Sequence, residues 1–211
     1  MSSKSIADRI TSALILDIVP VALTFTDTPP AGVAAPGQVV PSACSFWRLA
    51  EQGVFYAPAD AHYNCPVGTM VMGPPMTGPV QEQLGEAVTT MAGCGYLDPA
   101  DPSLVLLWLT PRQAMLYNEA AGTAAWTSDG PLVSGRPACA ALPAALSSGS
   151  PAMSWGCMGM RTFTGIPDDL LLAAIPGTAL SGFADELDRI ATANQAVHSY
   201  YENKKAEVAA S

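Results

Sequence analysis

Apolar positions along the chain change their spacing several times, and each change marks an element. Ile6, Ile10, Ala13 and Leu14 recur at helical intervals and predict a first helix over 3–16, with Ser3 or Ser5 as its cap. The run 18–27 (IVPVALTFTD) is rich in β-branched residues and predicts a buried strand that begins after Pro20. Residues 28–41 are Pro/Gly punctuation and read as a surface loop. A short amphipathic helix is predicted from Cys44 to Gly53, then a strand and turn within 54–68. Leu84, Val88 and Met91 share one helical face and predict a helix over 81–93. SLVLLWLT (103–110) is continuously apolar and predicts a strand covered on both faces. AMLYNEAA (114–121) and TAAWTS (123–128) read as strands or a hairpin around Gly122. Cys139 opens a short helix, residues 151–157 form a strand ending in Cys157, and LLLAAIPG (170–177) is a last strand. Phe183, Leu187, Ile190 and Val197 mark an amphipathic helix over about 180–205, followed by a fraying end.

The order repeats itself. Half one, about 18–96, runs strand (VALTFT), Pro-rich loop, Cys44, helix, strand, Cys65. Half two, about 103–178, runs strand (VLLWLT), a longer insert, Cys139, helix, strand, Cys157. Self-similarity of this kind points to duplication around a pseudo-twofold core. The expected fold is therefore a single α+β domain of two related α/β halves around a mixed sheet, flanked by N- and C-terminal helices.

Composition narrows the class. Of 211 residues only 13% are charged, against ~25% in an average domain. Sparse surface charge fits a buried subunit interface, so a homo-oligomer is expected. The net charge is −9, and no basic stripe exists to displace counterions, so neither nucleic acid nor an anionic membrane is an expected partner. The apolar run after Arg9 is broken by Asp17 and Pro20, unlike a secretory signal, and no run reaches the ~18 residues of a membrane span. A cytoplasmic location is expected, where five cysteines would stay reduced.

Four of those cysteines carry the candidate chemistry. Cys44 and Cys139 each follow a proline turn at a predicted helix start, where backbone N–H groups favour a thiolate. Cys65 and Cys157 each end a predicted strand shortly before a glycine, which lets backbone approach a ligand. Thiolates ligate iron–sulfur clusters, zinc and some haem irons. Against this, free cysteine is often only a small buried hydrophobe, and no C-x-x-C spacing is present. Cys94, between two glycines, has no partner in the scheme. His62 lies three residues before Cys65 and could share a metal with it, or hydrogen-bond structurally. Arg48, Arg136 and Arg161 flank the cysteine motifs and could hold a carboxylate or propionate, lower a thiol pKa, or pair with an acid. Met70, Met72 and Met76, with Met153, Met158 and Met160, flank the second cysteines as soft ligands or adaptable core filling. His198 reads as a surface residue, and Asp168-Asp169 as a turn. Phosphate-loop, dinucleotide, H-E-x-x-H and G-x-S-x-G motifs are missing.

At these residues the chain resembles the domain-of-unknown-function 169 family of bacteria and archaea. The matching pieces are PVALTFTD with a following PP, SACSFWR, HYNCPVG, GRPACAALP, WGCMGMR-x-F-TGIPDD and LLAAIPG, spread over residues 20–180. The resemblance implies a single cytoplasmic domain with cysteines in these motifs. It implies no reaction.

The leading expectation is a cofactor-binding redox protein or enzyme. Cys44, Cys65, Cys139 and Cys157 would ligate iron between the halves, as an iron–sulfur cluster or haem, serving a small molecule or redox partner. One alternative is a small-ligand module with an apolar Met/Trp-lined pocket and structural cysteines. Another is metal-free chemistry with Cys65 or Cys157 as nucleophile.

Overall fold

A computed structural model describes residues 3–25, 31–33, 55–58, 90–95, 102–122, 132–134 and 138–210. The chain opens with α1 (Ser3–Leu14), followed by β1 (Val21–Phe25), β2 (Phe55–Pro58), β3 (Thr90–Gly95) and β4 (Leu104–Leu109). Next come α2 (Pro111–Ala120), β5 (Leu132–Ser134), a 3₁₀ turn (Ala138–Ala140) and α3 (Ala141–Ser148). The last part holds β6 (Ala152–Ser154), α4 (Met158–Thr164), β7 (Leu171–Pro176), a 3₁₀ turn (Gly177–Ala179) and α5 (Leu180–Ala209).

The strands form one seven-stranded sheet in the order β2-β3-β1-β4-β7-β6-β5. Among the described strands only β5 and β6 pair in parallel, so the sheet is mixed and the fold is α+β. The continuous apolar strands are explained by cover on both faces. Val105, Leu107 and Leu109 of β4, with Leu171, Ala173 and Ile175 of β7, pack under α1, α2 and α5. The alternate residues Leu104, Leu106 and Trp108, with Leu172 and Ala174, pack under α3 and the segment holding Cys139 and Met160. Period-two alternation thus sends each strand's side chains into two separate cores. Leu107 is fully buried, and truncating it to alanine would cost roughly 2–5 kcal/mol.

Three elements differ from the sequence expectation. Residues 114–120, read as strand, lie in α2. The cause is local: Thr110 and Gln113 form a reciprocal capping box and Pro111 occupies the first turn. Gln113 also donates to the Leu14 and Ile15 carbonyls, tying α2 to the end of α1. Residues 90–93, read as the end of a helix, lie in β3, which pairs with both β1 and β2; residues 81–89 lie outside the described set. The strand expected to reach Cys157 stops at Ser154, and Cys157 instead heads α4. The expected strand 123–128 lies outside the described residues. The last helix continues past 205 to Ala209.

Outward from the central β1/β4 pair the sheet runs β1-β3-β2 on one side and β4-β7-β6 on the other, matching orders once β5 is set aside. The registers correspond too. Ala22, Thr24 and Phe25 face Gly95, Ala92 and Met91. Their counterparts 84 residues on, Leu106, Trp108 and Leu109, face Ala174, Leu172 and Leu171. β5 has no counterpart among the described strands of the first half.

Candidate functional site

The described part of the candidate site is the connection from β6 through α4 to β7, on the sheet face opposite α1, α2 and α5. Ser154 ends β6 with its hydroxyl accepting the Gly156 N–H at 3.1 Å. Gly156 adopts φ +92°, a conformation open to glycine, and its missing side chain is structural. A Cβ there would sit 2.8 Å from Met160 Cε and 3.2 Å from Arg161 Nη2. The backbone is then extended at Cys157, whose sulfur accepts the Met160 N–H at 3.5 Å. Cys157 is thus the N-cap of α4, meeting one of the orphan donors at a helix start. Gly165, left-handed at φ 66°, closes the helix, and its N–H donates to Arg161 O at 3.1 Å. Thr164 Oγ1 donates to Met160 O at 2.6 Å and accepts the Ile166 N–H.

Arg161 ties the connection together. Its Nη1 donates to Pro167 O at 2.6 Å, and Nη2 donates to Trp155 O at 3.1 Å and Leu170 O at 3.3 Å. Nε lies 3.5 Å from the exposed Asp168 carboxylate. The rigid guanidinium fork bridges both ends of the loop around Cys157. The ion pair with Asp168 is the acid pairing weighed from the sequence; the three bonds to backbone carbonyls were not foreseen.

Cys139 is 4% exposed, and both cysteines border one apolar cluster with Leu106, Trp108, Leu142 and Met160. Neither forms a disulfide. Cys157 is half-buried, and the surface beside it carries Trp155, Met158 and Phe163, 58%, 68% and 41% exposed. Apolar spacing alone did not single out Trp155 and Phe163. Recognising α4 from its end signals, Gly165 and Pro167, would have placed Phe163 in its last turn.

The described methionines of this set do not converge. Met160 packs in the cysteine-side core, Met153 in the opposite core under the helices, and Met158 faces solvent. His198 lies on α5, exposed, 4.0 Å from Glu202. Cys94 lies in β3, paired opposite Phe55. Cys44, Cys65, His62, Arg48, Arg136, Met70, Met72 and Met76 fall outside the described residues. Among the described residues no group of three or more His, Cys, Asp or Glu could hold a metal, and no helix is long and apolar enough to cross a membrane.

Set beside known proteins, residues 89–185 match the profile of the family DUF169, described as uncharacterised ArCR. The match runs from β3 to the first turns of α5 and contains Cys94, Cys139 and Cys157. No curated protein and no solved structure matches the chain. On that stretch, a little under half of the chain, the sequence is similar to DUF169.

Proposed function

We propose that this protein is a cofactor-binding redox protein or enzyme in which cysteine thiolates hold iron, as an iron–sulfur cluster or haem. The observation that carries the reading is the setting of Cys157. Its sulfur is half-buried at the head of α4, on a turn fixed by Gly156 and the Arg161 clamp. A ligand on so constrained a backbone pays little ordering entropy when it binds. Cys139 borders the same apolar cluster. The matching strand orders support duplication about an axis between β1 and β4. In chain order Cys44 falls between β1 and β2 as Cys139 falls between β4 and β6, and Cys65 falls between β2 and β3 as Cys157 between β6 and β7. In this reading all four cysteines are ligands between the halves, His62, Arg48 and Arg136 border the cofactor, and Arg161 holds the turn. The protein works in the cytoplasm with a small molecule or redox partner.

The test compares anaerobically purified wild type with Cys157→Ser. Loss of bound iron with an unchanged melting curve supports the proposal. Equal iron in both proteins removes Cys157 from the ligand set.

A second reading rests on the exposed Trp155, Met158 and Phe163 beside Cys157. They suit an apolar small ligand, with Cys139 packing as a hydrophobe. Ligand binding that survives Cys157→Ser and responds to Trp155→Ala would favour it.

A further inference from the structure

The helix α5 is 30 residues long, about 45 Å at 1.5 Å per residue. Leu180, Phe183, Leu187 and Ile190 are buried against α1, α2 and the sheet. Their spacing of three, four, three continues without a break through Asn194, Val197, Tyr201, Lys204 and Val208. That is a heptad a/d stripe over the whole helix. Beyond Ile190 the stripe leaves the body, with Val197 50%, Tyr201 63% and Val208 75% exposed. Beside it, α2 and α5 enclose a groove of about 550 Å³ lined by Arg112, Met115, Arg189, Ile190, Val197 and Tyr201. An isolated helical extension of this length is marginal in water, so its apolar seam calls for a partner.

We infer that the exposed seam of α5 pairs antiparallel with the same seam of a second copy of this chain. The pattern is self-complementary in that orientation. One register sets Ile190 against Val208 of the second copy, Asn194 against its Lys204, and Val197 against its Tyr201, and the twofold repeats each pair. Apolar layers meet apolar layers, and each of the two symmetry-related polar layers joins an amide oxygen to an ammonium donor. A parallel pair would instead stack Lys204 on Lys204, and like charges in contact repel. It would also drive the N-terminal half of the partner helix into the volume held by α1 and α2, which cover the buried part of the same stripe. In the antiparallel register Val208 of the second copy enters the groove against the exposed Met115, beside Ile190, which is itself seated in the body. Glu207, the neighbour of that Val208, falls on the rim that carries Arg112, Glu119 and Arg189, where Arg189 already pairs with Glu186 and Arg112 is the cation facing it. The inference stands independently of any cofactor.

The test uses the full chain in analytical ultracentrifugation at about 100 µM. Wild type sediments at twice 21.8 kDa. Val197→Glu with Tyr201→Glu sediments as a monomer with an unchanged far-UV spectrum, since both positions lie outside the cores. Orientation is read from Asn194. Asn194→Glu gains an ion pair with Lys204 of the second copy and tightens the dimer roughly fivefold, whereas Asn194→Lys weakens it by a similar factor. A monomeric wild type, including one whose groove takes only another protein or a small molecule, overturns the inference. So does a dimer that survives the double substitution. If Asn194→Glu weakens the dimer, the antiparallel register is wrong.

Discussion

Replacing Arg161 with methionine keeps the length of the apolar stem and removes the guanidinium. Three hydrogen bonds disappear, to Pro167 O, Trp155 O and Leu170 O. A bond from a charged donor contributes about 1.5–3 kcal/mol. The Pro167 and Trp155 bonds are solvent-exposed and the Leu170 bond is partly buried, so water can replace part of each. Screening of this kind brings exposed interactions to roughly 1 kcal/mol or below. The expected loss is therefore about 2–3 kcal/mol, most of it at the turn that carries Cys157. For a domain of this size each kcal/mol moves the melting temperature by roughly 2–4 °C, so Arg161→Met should melt about 5–10 °C lower. Differential scanning calorimetry measures the shift directly. Arg161→Lys should recover little, because an ammonium cannot span three carbonyls held in fork geometry. A melting temperature within 1 °C of wild type would refute the clamp. If Arg161→Met left stability intact yet released a bound cofactor, the carboxylate-binding role expected from the sequence would be the right one.

Three further outcomes follow from the same geometry. Gly177→Ala would put a Cβ 1.7 Å from the Pro102 carbonyl oxygen, where Gly177 N–H donates to Ser103 O at 2.9 Å; the strand ends must part, and urea denaturation should show a loss of at least about 3 kcal/mol. Thr110→Ala removes half of the α2 capping box and should cost about 1 kcal/mol, with Thr110→Ser restoring most of it. Arg189 donates to Glu186 and holds its carboxyl below the usual 4.5, so the pair's contribution is present above that pH and fades as the solution falls through the lower folded value; the melting-temperature gap between wild type and Arg189→Gln should close on acidification.

How much of this could be read from the chain depended on whether the determining forces are local. β4 and β7 were legible because burial on both faces leaves unbroken apolar runs, LVLLWL and LLAAIP. α1 and α5 were legible through helical periodicity. α2 was missed although its signal is local: Thr110-Pro111 with Gln113 at the third helical position outweighs the strand-like look of Met115, Leu116 and Tyr117. Tyr117 shows why that look misleads. It is fully buried on a helix, with its hydroxyl at the carbonyl oxygens of Ala152 and Ala174, a contact across 57 residues of chain. β3 could not have been read, because TMAGCG has weak strand propensity and is held by pairing with β1 and β2 on both sides. At the site, the cysteine positions were legible as motifs. The capping role of Cys157 and the carbonyl clamp of Arg161 were not, since both depend on Gly156 turning the backbone left-handed.

Whether cysteine thiolates hold iron is decided by the metal content and visible spectrum of the full chain, purified without oxygen and measured fresh. The expected result is stoichiometric iron, with the broad charge-transfer absorption of a cluster or the sharp Soret band of haem, lost together in Cys157→Ser. A colourless, well-folded wild-type protein without iron would contradict it.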